Sequence, residues 1–189
     1  MIGYTENPPR HSADKYISRF LLVSLNLDAI LQETTTHRRR ERLQVMTDEL
    51  GLEHAYGATL ERIRAQGDRK SGLGMTALMW ICHSERQLGA EELCQALAVE
   101  IGSTEYNVNN APSIRTVLNC CQGLVIVDKE GSTFRLIHHT LQEYLTSISI
   151  LPQSPHSTIA ETCLAYLNSQ QVMALSRSSA QKAKHQGSE

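Results

Sequence analysis

The stretch Arg135-Leu136-Ile137-His138-His139-Thr140-Leu141-Gln142-Glu143-Tyr144-Leu145 changes period partway along. Alternation of strand type runs up to Ile137. Beyond it Leu141, Tyr144 and Leu145 recur at helical spacing on one face. A short strand therefore passes into an amphipathic helix through a histidine pair. A histidine at such a junction can meet a ligand or a neighbouring domain.

Working back from this junction, Leu124–Asp128, the turn Lys129-Glu130-Gly131-Ser132 and Thr133–Ile137 read as a hairpin. Before it, Pro112 opens a helix holding Ile114, Val117 and Leu118, stopped by Gly123. Gly102–Ala111 reads as a polar loop, and Ala90–Val99 as a helix whose Glu91 and Glu92 suit its positive N-terminal end. Met75–His83 is a helix carrying Leu78, Met79, Trp80 and Ile81, joined to the next by a turn at Gln87-Leu88-Gly89. Gly67 to Gly74 reads as a polar loop. Three helices, a two-stranded wing and a closing helix make a winged-helix order. Its expected core is Leu78, Trp80, Leu93, Leu97, Leu118, Leu124, Leu136, Leu141 and Tyr144.

The flanks are helical too, so the fold class is mainly α: a helical segment, a winged-helix domain with a two-stranded wing, then a short C-terminal helix. A first helix is predicted from Ser12 to about Gln32, with Ile17, Phe20, Leu21, Leu25 and Leu27 so dense that it packs on more than one side. Phe20, Leu21, Leu25 and Leu27 are the candidate docking residues. The run Arg38-Arg39-Arg40 could be a phosphate clamp or nuclear signal. The solvated face of a short helix is favoured, because Leu43, Met46 and Leu50 form its buried stripe. Gly51 ends that helix, and another runs from His54 to Gln66. After the Pro152–Pro155 linker, Thr158 to about Leu167 is a helix with Ile159, Cys163, Leu164 and Leu167 on one face. The divisions expected are a disordered leader at 1–11, a helical segment at 12–72, the winged helix at 73–150, a C-terminal helix at 151–175 and a disordered tail at 176–189.

Composition narrows the function. Of 189 residues, 41% are apolar and the net charge is -2, so no basic surface for nucleic acid or membrane is advertised. Pro8-Pro9 and polar neighbours fill the place of a secretory signal's apolar core. The run Phe20 to Leu31 is too short to span a bilayer. Cys82, Cys94, Cys120, Cys121 and Cys163 form no C-x-x-C pair and no zinc spacing, so buried reduced thiols in a cytoplasmic protein are expected.

The winged-helix order raises DNA binding, in which the helix before the wing would enter the major groove. Here that helix, Ser113 to Cys121, has Arg115 as its single charge, and the wing sets Lys129 against Asp128 and Glu130. Two or three cations make a weak phosphate contact, so nucleic-acid binding is disfavoured. Gly67-Asp68-Arg69-Lys70-Ser71-Gly72 lacks the spacing of a phosphate-binding loop, no G-x-S-x-G elbow occurs, and the eight histidines show no metal-ligand pattern. No catalytic residue, metal site or cofactor is assigned, and the chain is read as a non-enzyme.

Three groups of residues carry a family resemblance. Phe20 to Leu31 resembles the segment leaving the ATPase core of fungal NACHT–ankyrin proteins. Ala77 to Ile81, Ser84 to Leu88 and Glu91 to Val99 resemble their winged helix, of the type named after GPI inositol-deacylase. Gly123 to Val127 and Leu136 to Leu145 complete it, and the likeness covers roughly residues 17–170. The resemblance implies a regulatory module of a signal-transducing NTPase whose partner is a NACHT ATPase domain, in a longer chain or in trans. It also implies that His138 senses the bound nucleotide's phosphates, His139 standing where the family varies. The phosphate-binding loop, the magnesium-site residues and ankyrin repeats have no counterpart here, so the chain looks like the middle of such a protein. A free-standing nucleic-acid-binding winged helix and a non-functional gene fragment are the alternatives.

Overall fold

The structure is a computed structural model describing residues 23–25, 27, 30–31, 33–48, 52–128, 130–148 and 154–174. The chain divides into two compact units, residues 1–62 and 63–189.

In the first unit, residues 23–25, 27, 30 and 31 are helical, and helices α1 (Thr36–Asp48) and α2 (Leu52–Arg64) follow. On α1 Arg38, Arg39 and Arg40 are exposed and Leu43 is half-buried, while the Met46 side chain and Leu50 of the expected stripe lie outside the described residues. Arg39 turns back to cap the preceding segment, its Nε donating to the Glu33 carbonyl at 2.9 Å. On α2, Ala55, Tyr56, Leu60 and Ile63 form a buried stripe. Arg62 of the same helix donates to the Leu25 carbonyl at 2.8 Å and to Thr59 Oγ1 at 3.0 Å.

The second unit is built on α3 (Asp68–His83), which buries Ala77, Leu78, Met79, Trp80 and Cys82. A helix buried on most of its circumference belongs in the middle of a fold. It packs against α5 (Ile114–Cys120), the hairpin strand β2 (Thr133–Leu136) and the last helix, α7 (Pro155–Leu167). The shorter α4 (Ala90–Ala96) lies against α5 and β2, and α6 (His139–Ser147) packs on β2. Strand β1 (Val125–Asp128) pairs antiparallel with β2, Val125 opposite Leu136 and Asp128 opposite Thr133. The wing has a third attachment: Gly89 bridges Thr133, and Ala90 N–H donates to the Ser132 carbonyl at 2.7 Å. This mainly helical unit with a central two-stranded sheet is a winged helix.

Several boundaries differ from the sequence reading. The polar loop placed at Gly67 to Gly74 is instead the first two turns of α3. The break is at Gly67, whose φ of 89° is reserved in practice for glycine. Gly74 is a packing residue: a Cβ there would lie 2.7 Å from the Cys120 carbonyl oxygen. Helix α4 stops at Ala96 because its chain tightens, Ala98 N–H bonding the Gln95 carbonyl and Val99 N–H the Ala96 carbonyl. Ser113, not Pro112, caps α5, its Oγ accepting from Thr116 N–H at 3.1 Å. A 3-10 turn, Val108–Asn110, interrupts the loop before it. Helix α7 begins at Pro155, in its first turn, where the missing N–H costs nothing.

Of the expected core, Leu78, Trp80, Leu93, Leu124 and Leu141 are buried, while Leu97, Leu118, Leu136 and Tyr144 are half-buried. On α5 and α6 an adjacent residue takes the inward place, Val117 for Leu118 and Leu145 for Tyr144. Ala98 is the buried residue just past α4, and on β2 Phe134 is the buried member of the face it shares with Leu136. One residue is about 100° around a helix, enough to move a side chain to the flank.

Candidate functional site

His138 sits in extended conformation (φ -156°, ψ 152°) as the N-cap of α6. The change of period after Ile137 is physically this cap. Its Nδ1 accepts from Thr140 N–H at 3.4 Å and lies 2.9 Å from Thr140 Oγ1. An Nδ1 that accepts places the proton on Nε2, so the tautomer assigned from these bonds is an Nε2–H donor. The ring of His139 lies against it, centroids 4.1 Å apart and tilted by 37°. His138 is half-buried and His139 exposed.

The imidazole lines a cleft of about 360 Å³ between the end of α3, strand β2 and the start of α6. Ser84, Arg86, Gln87, Arg135 and Gln142 supply polar groups to it. Gln142 also ties α6 to α3, its amide donating to the Cys82 carbonyl at 3.2 Å. Both arginines are matched by carboxylates of this chain. Arg135 Nη1 lies 3.1 Å from Asp128 Oδ2 across the hairpin. Arg86 grips Glu92 with both terminal nitrogens, Nη1 to Oε2 at 3.0 Å and Nη2 to Oε1.

Glu92 Oε2 also accepts from Gly89 N–H at 3.0 Å, the reciprocal half of a capping box on α4. The Arg86 hydrogen bond, then the Gly89 one, hold its carboxyl at about 2, well below the usual range. In the sequence Glu92 is assigned only as suiting the helix dipole. Its place three residues after Gly89 was the signal for a cap.

Chemically, the cleft offers hydrogen-bond donors fixed by their own partners. Ser84 Oγ donates to the Trp80 carbonyl at 2.6 Å, not to a base, so no activated nucleophile is formed there. Cys82, Cys94, Cys120 and Cys121 are buried, and burial raises their thiols, Cys121 to about 12. They stay protonated and unreactive at neutral pH. Among the described residues no group of three or more His, Cys, Asp or Glu side chains could hold a metal ion.

Elsewhere, Phe20 and Leu21 lie outside the described residues; Leu25 is buried and Leu27 exposed. On α5, Ser113, Ile114, Arg115 and Thr116 are exposed, with Arg115 the single cation. The Ser113 and Thr116 hydroxyls bond each other at 2.8 Å. No helix among the described residues is long and apolar enough to cross a membrane.

Residues 60–153 match the family described as GPI inositol-deacylase, winged helix domain. The match runs from the last turn of α2 past the end of α6, so it contains the whole wing and the His138 junction. No curated protein and no solved structure matches the chain.

Proposed function

We propose that this winged helix is a non-catalytic regulatory module that docks on the ATPase domain of a NACHT-type signalling NTPase, in one longer chain or in trans. In this reading His138 reports the nucleotide state. The observation that supports it is the fixed imidazole at the mouth of a polar cleft, its Nδ1 committed to Thr140 and its Nε2–H assigned as donor. A ring already held in one orientation beside Arg86 and Arg135 suits a phosphate oxygen, since it needs little reorientation on binding. The weakly basic face of α5 argues against the alternative of a DNA reader.

The test mixes the full chain with a NACHT domain drawn from a protein carrying this winged-helix type. Calorimetry with ADP should show a complex. His138→Ala should then weaken it by the value of a charge-assisted hydrogen bond, about 1.5–3 kcal/mol, or roughly tenfold to a hundredfold. Absence of any complex defeats the proposal. Equal affinity of the variant defeats the role of His138.

A further inference from the structure

Helix α7 leaves an apolar stripe exposed. Thr162 is buried and Thr158, Ile159 and Ala165 are half-buried, whereas Ala160, Cys163, Leu164 and Leu167 are exposed. Those four recur at i, i+3, i+4 and i+7, the spacing of one helical stripe. Leu164 is 58% and Leu167 55% exposed.

The helix is not loosely placed. At its start His156 meets His83 of α3 edge-on, ring centroids 5.5 Å apart. Near its end Tyr166 meets Tyr106 edge-on at 5.2 Å. Just beyond, Gln170 N–H bonds the Thr104 carbonyl at 3.1 Å, and the Gln171 side chain accepts from Tyr106 N–H at 3.1 Å. Thr162 satisfies its buried hydroxyl on the Thr158 carbonyl at 2.8 Å. The inward face mixes Thr158 and Thr162 with half-buried Ile159 and Ala165, while Ser169 Oγ just beyond the helix is buried without a hydrogen-bond partner among the described residues. The stripe at Ala160, Cys163, Leu164 and Leu167 is left to solvent.

We infer that the apolar stripe of α7 is the contact of a second copy of this chain, pairing α7 with α7 antiparallel about a two-fold axis. Three observations select this occupant. Within Pro155–Leu167 the only Asp, Glu, Lys or Arg is Glu161, so the ridge offers nothing to a charged partner. The same face holds a mainly apolar groove of about 440 Å³ between Trp80, Ala96 and Val99 on one side and Cys163, Tyr166 and Leu167 on the other. At its rim Arg86 and Glu92 neutralise each other. Ridge and groove on one surface are what an isologous contact requires.

The stripe is also self-complementary in size. With the axis between Cys163 and Leu164, Ala160 faces Leu167 of the second copy, and Cys163 faces its Leu164. Small thus meets large at every level. The chain's own residues 175–189 supply no such ridge, their apolar side chains being Leu175, Ala180 and Ala183. A contact along 13 residues, about 20 Å long and roughly 10 Å wide, covers roughly 200 Å² on each copy, well short of the roughly 1,200 Å² of stable complexes, so the pairing is weak and concentration-dependent.

Sedimentation equilibrium of the full chain, from micromolar to millimolar, tests this. A mass rising from monomer toward dimer is expected, with Leu164→Glu and Leu167→Glu each weakening association at least tenfold while leaving thermal melting unchanged. A short bismaleimide should join copies through Cys163, and Cys163→Ser should abolish the product. A monomer at every concentration overturns the proposal, as does a dimer that persists in both Leu variants.

Discussion

Replacing Gly74 with Ala separates two views of the start of α3. In an ordinary helix interior the change stabilises by about 1 kcal/mol, through helix propensity. At Gly74 the added methyl would stand 2.7 Å from the Cys120 carbonyl oxygen, 3.1 Å from Ile63 Cγ2 and 3.2 Å from the Cys120 carbonyl carbon. Two of these atoms are backbone and cannot swing aside. The carbonyl is also held, since it accepts from Gln66 Nε2 at 2.8 Å. Overpacking of this kind costs about 1–3 kcal/mol, and losing the Gln66 bond adds roughly 0.5–1.5 kcal/mol. After the propensity gain, Gly74→Ala should destabilise the unit by about 1–3 kcal/mol. For a unit of this size that lowers Tm by roughly 3–6 °C per kcal/mol. Gly72 is the internal control: it lies in the same helix with nothing within 4 Å of its Cβ position. Gly72→Ala should therefore hold or raise Tm. The chain's single tryptophan, Trp80, is buried on α3, so its fluorescence follows this unit during heating. A Gly74→Ala melt at or above that of the parent, equal to Gly72→Ala, would refute the close approach of α3 and α5.

Two further predictions concern the core and the charge pair. Leu141→Ala, at a fully buried position, should cost about 2–5 kcal/mol in urea denaturation, and Leu118→Ala, half-buried, distinctly less; equal losses would contradict the placement of Val117 as the inward residue of α5. In acid, Glu92 is held down by Arg86, so its contribution is present above the ordinary 4.5 and lost as pH falls toward about 2. His83, lowered by burial and then by His156, acts in the same sense: stability is full above its ordinary 6.5 and falls as pH drops below it. Melting temperature should decline in both windows. Glu92→Gln should remove the decline below 4.5 and leave the upper one, with a small amplitude in salt because the pair is exposed.

The hairpin and α6 were legible in the sequence because each is specified by neighbours a few residues apart. Alternation ending at Ile137 and the Leu141–Leu145 spacing define both elements without long-range help. The start of α3 was not legible. Gly72 and Gly74 read as loop punctuation, yet what places a glycine at 74 is the Cys120 carbonyl, far along the chain. The site divides in the same way. The histidine junction follows from local pattern, but the cleft around it depends on Arg86 and Arg135 being drawn to Glu92 and Asp128 by the fold.

Helix α7 marks where periodicity stops carrying information. The sequence places Ile159, Cys163, Leu164 and Leu167 on one face; the last three share the exposed one, whereas Ile159 is half-buried. The same reasoning applied to α6 led to Leu141 and Leu145 buried on β2, whereas on α7 the apolar stripe faces solvent. A period of 3.6 fixes which residues lie together, not what covers them. On the opposite face Ile159 and Ala165 are half-buried, and Thr162 is buried at little cost because its hydroxyl bonds the Thr158 carbonyl. An apolar stripe left outward while the mixed inward face takes the packing is a stable arrangement within one chain. It is also the arrangement in which a second chain gains most by covering it.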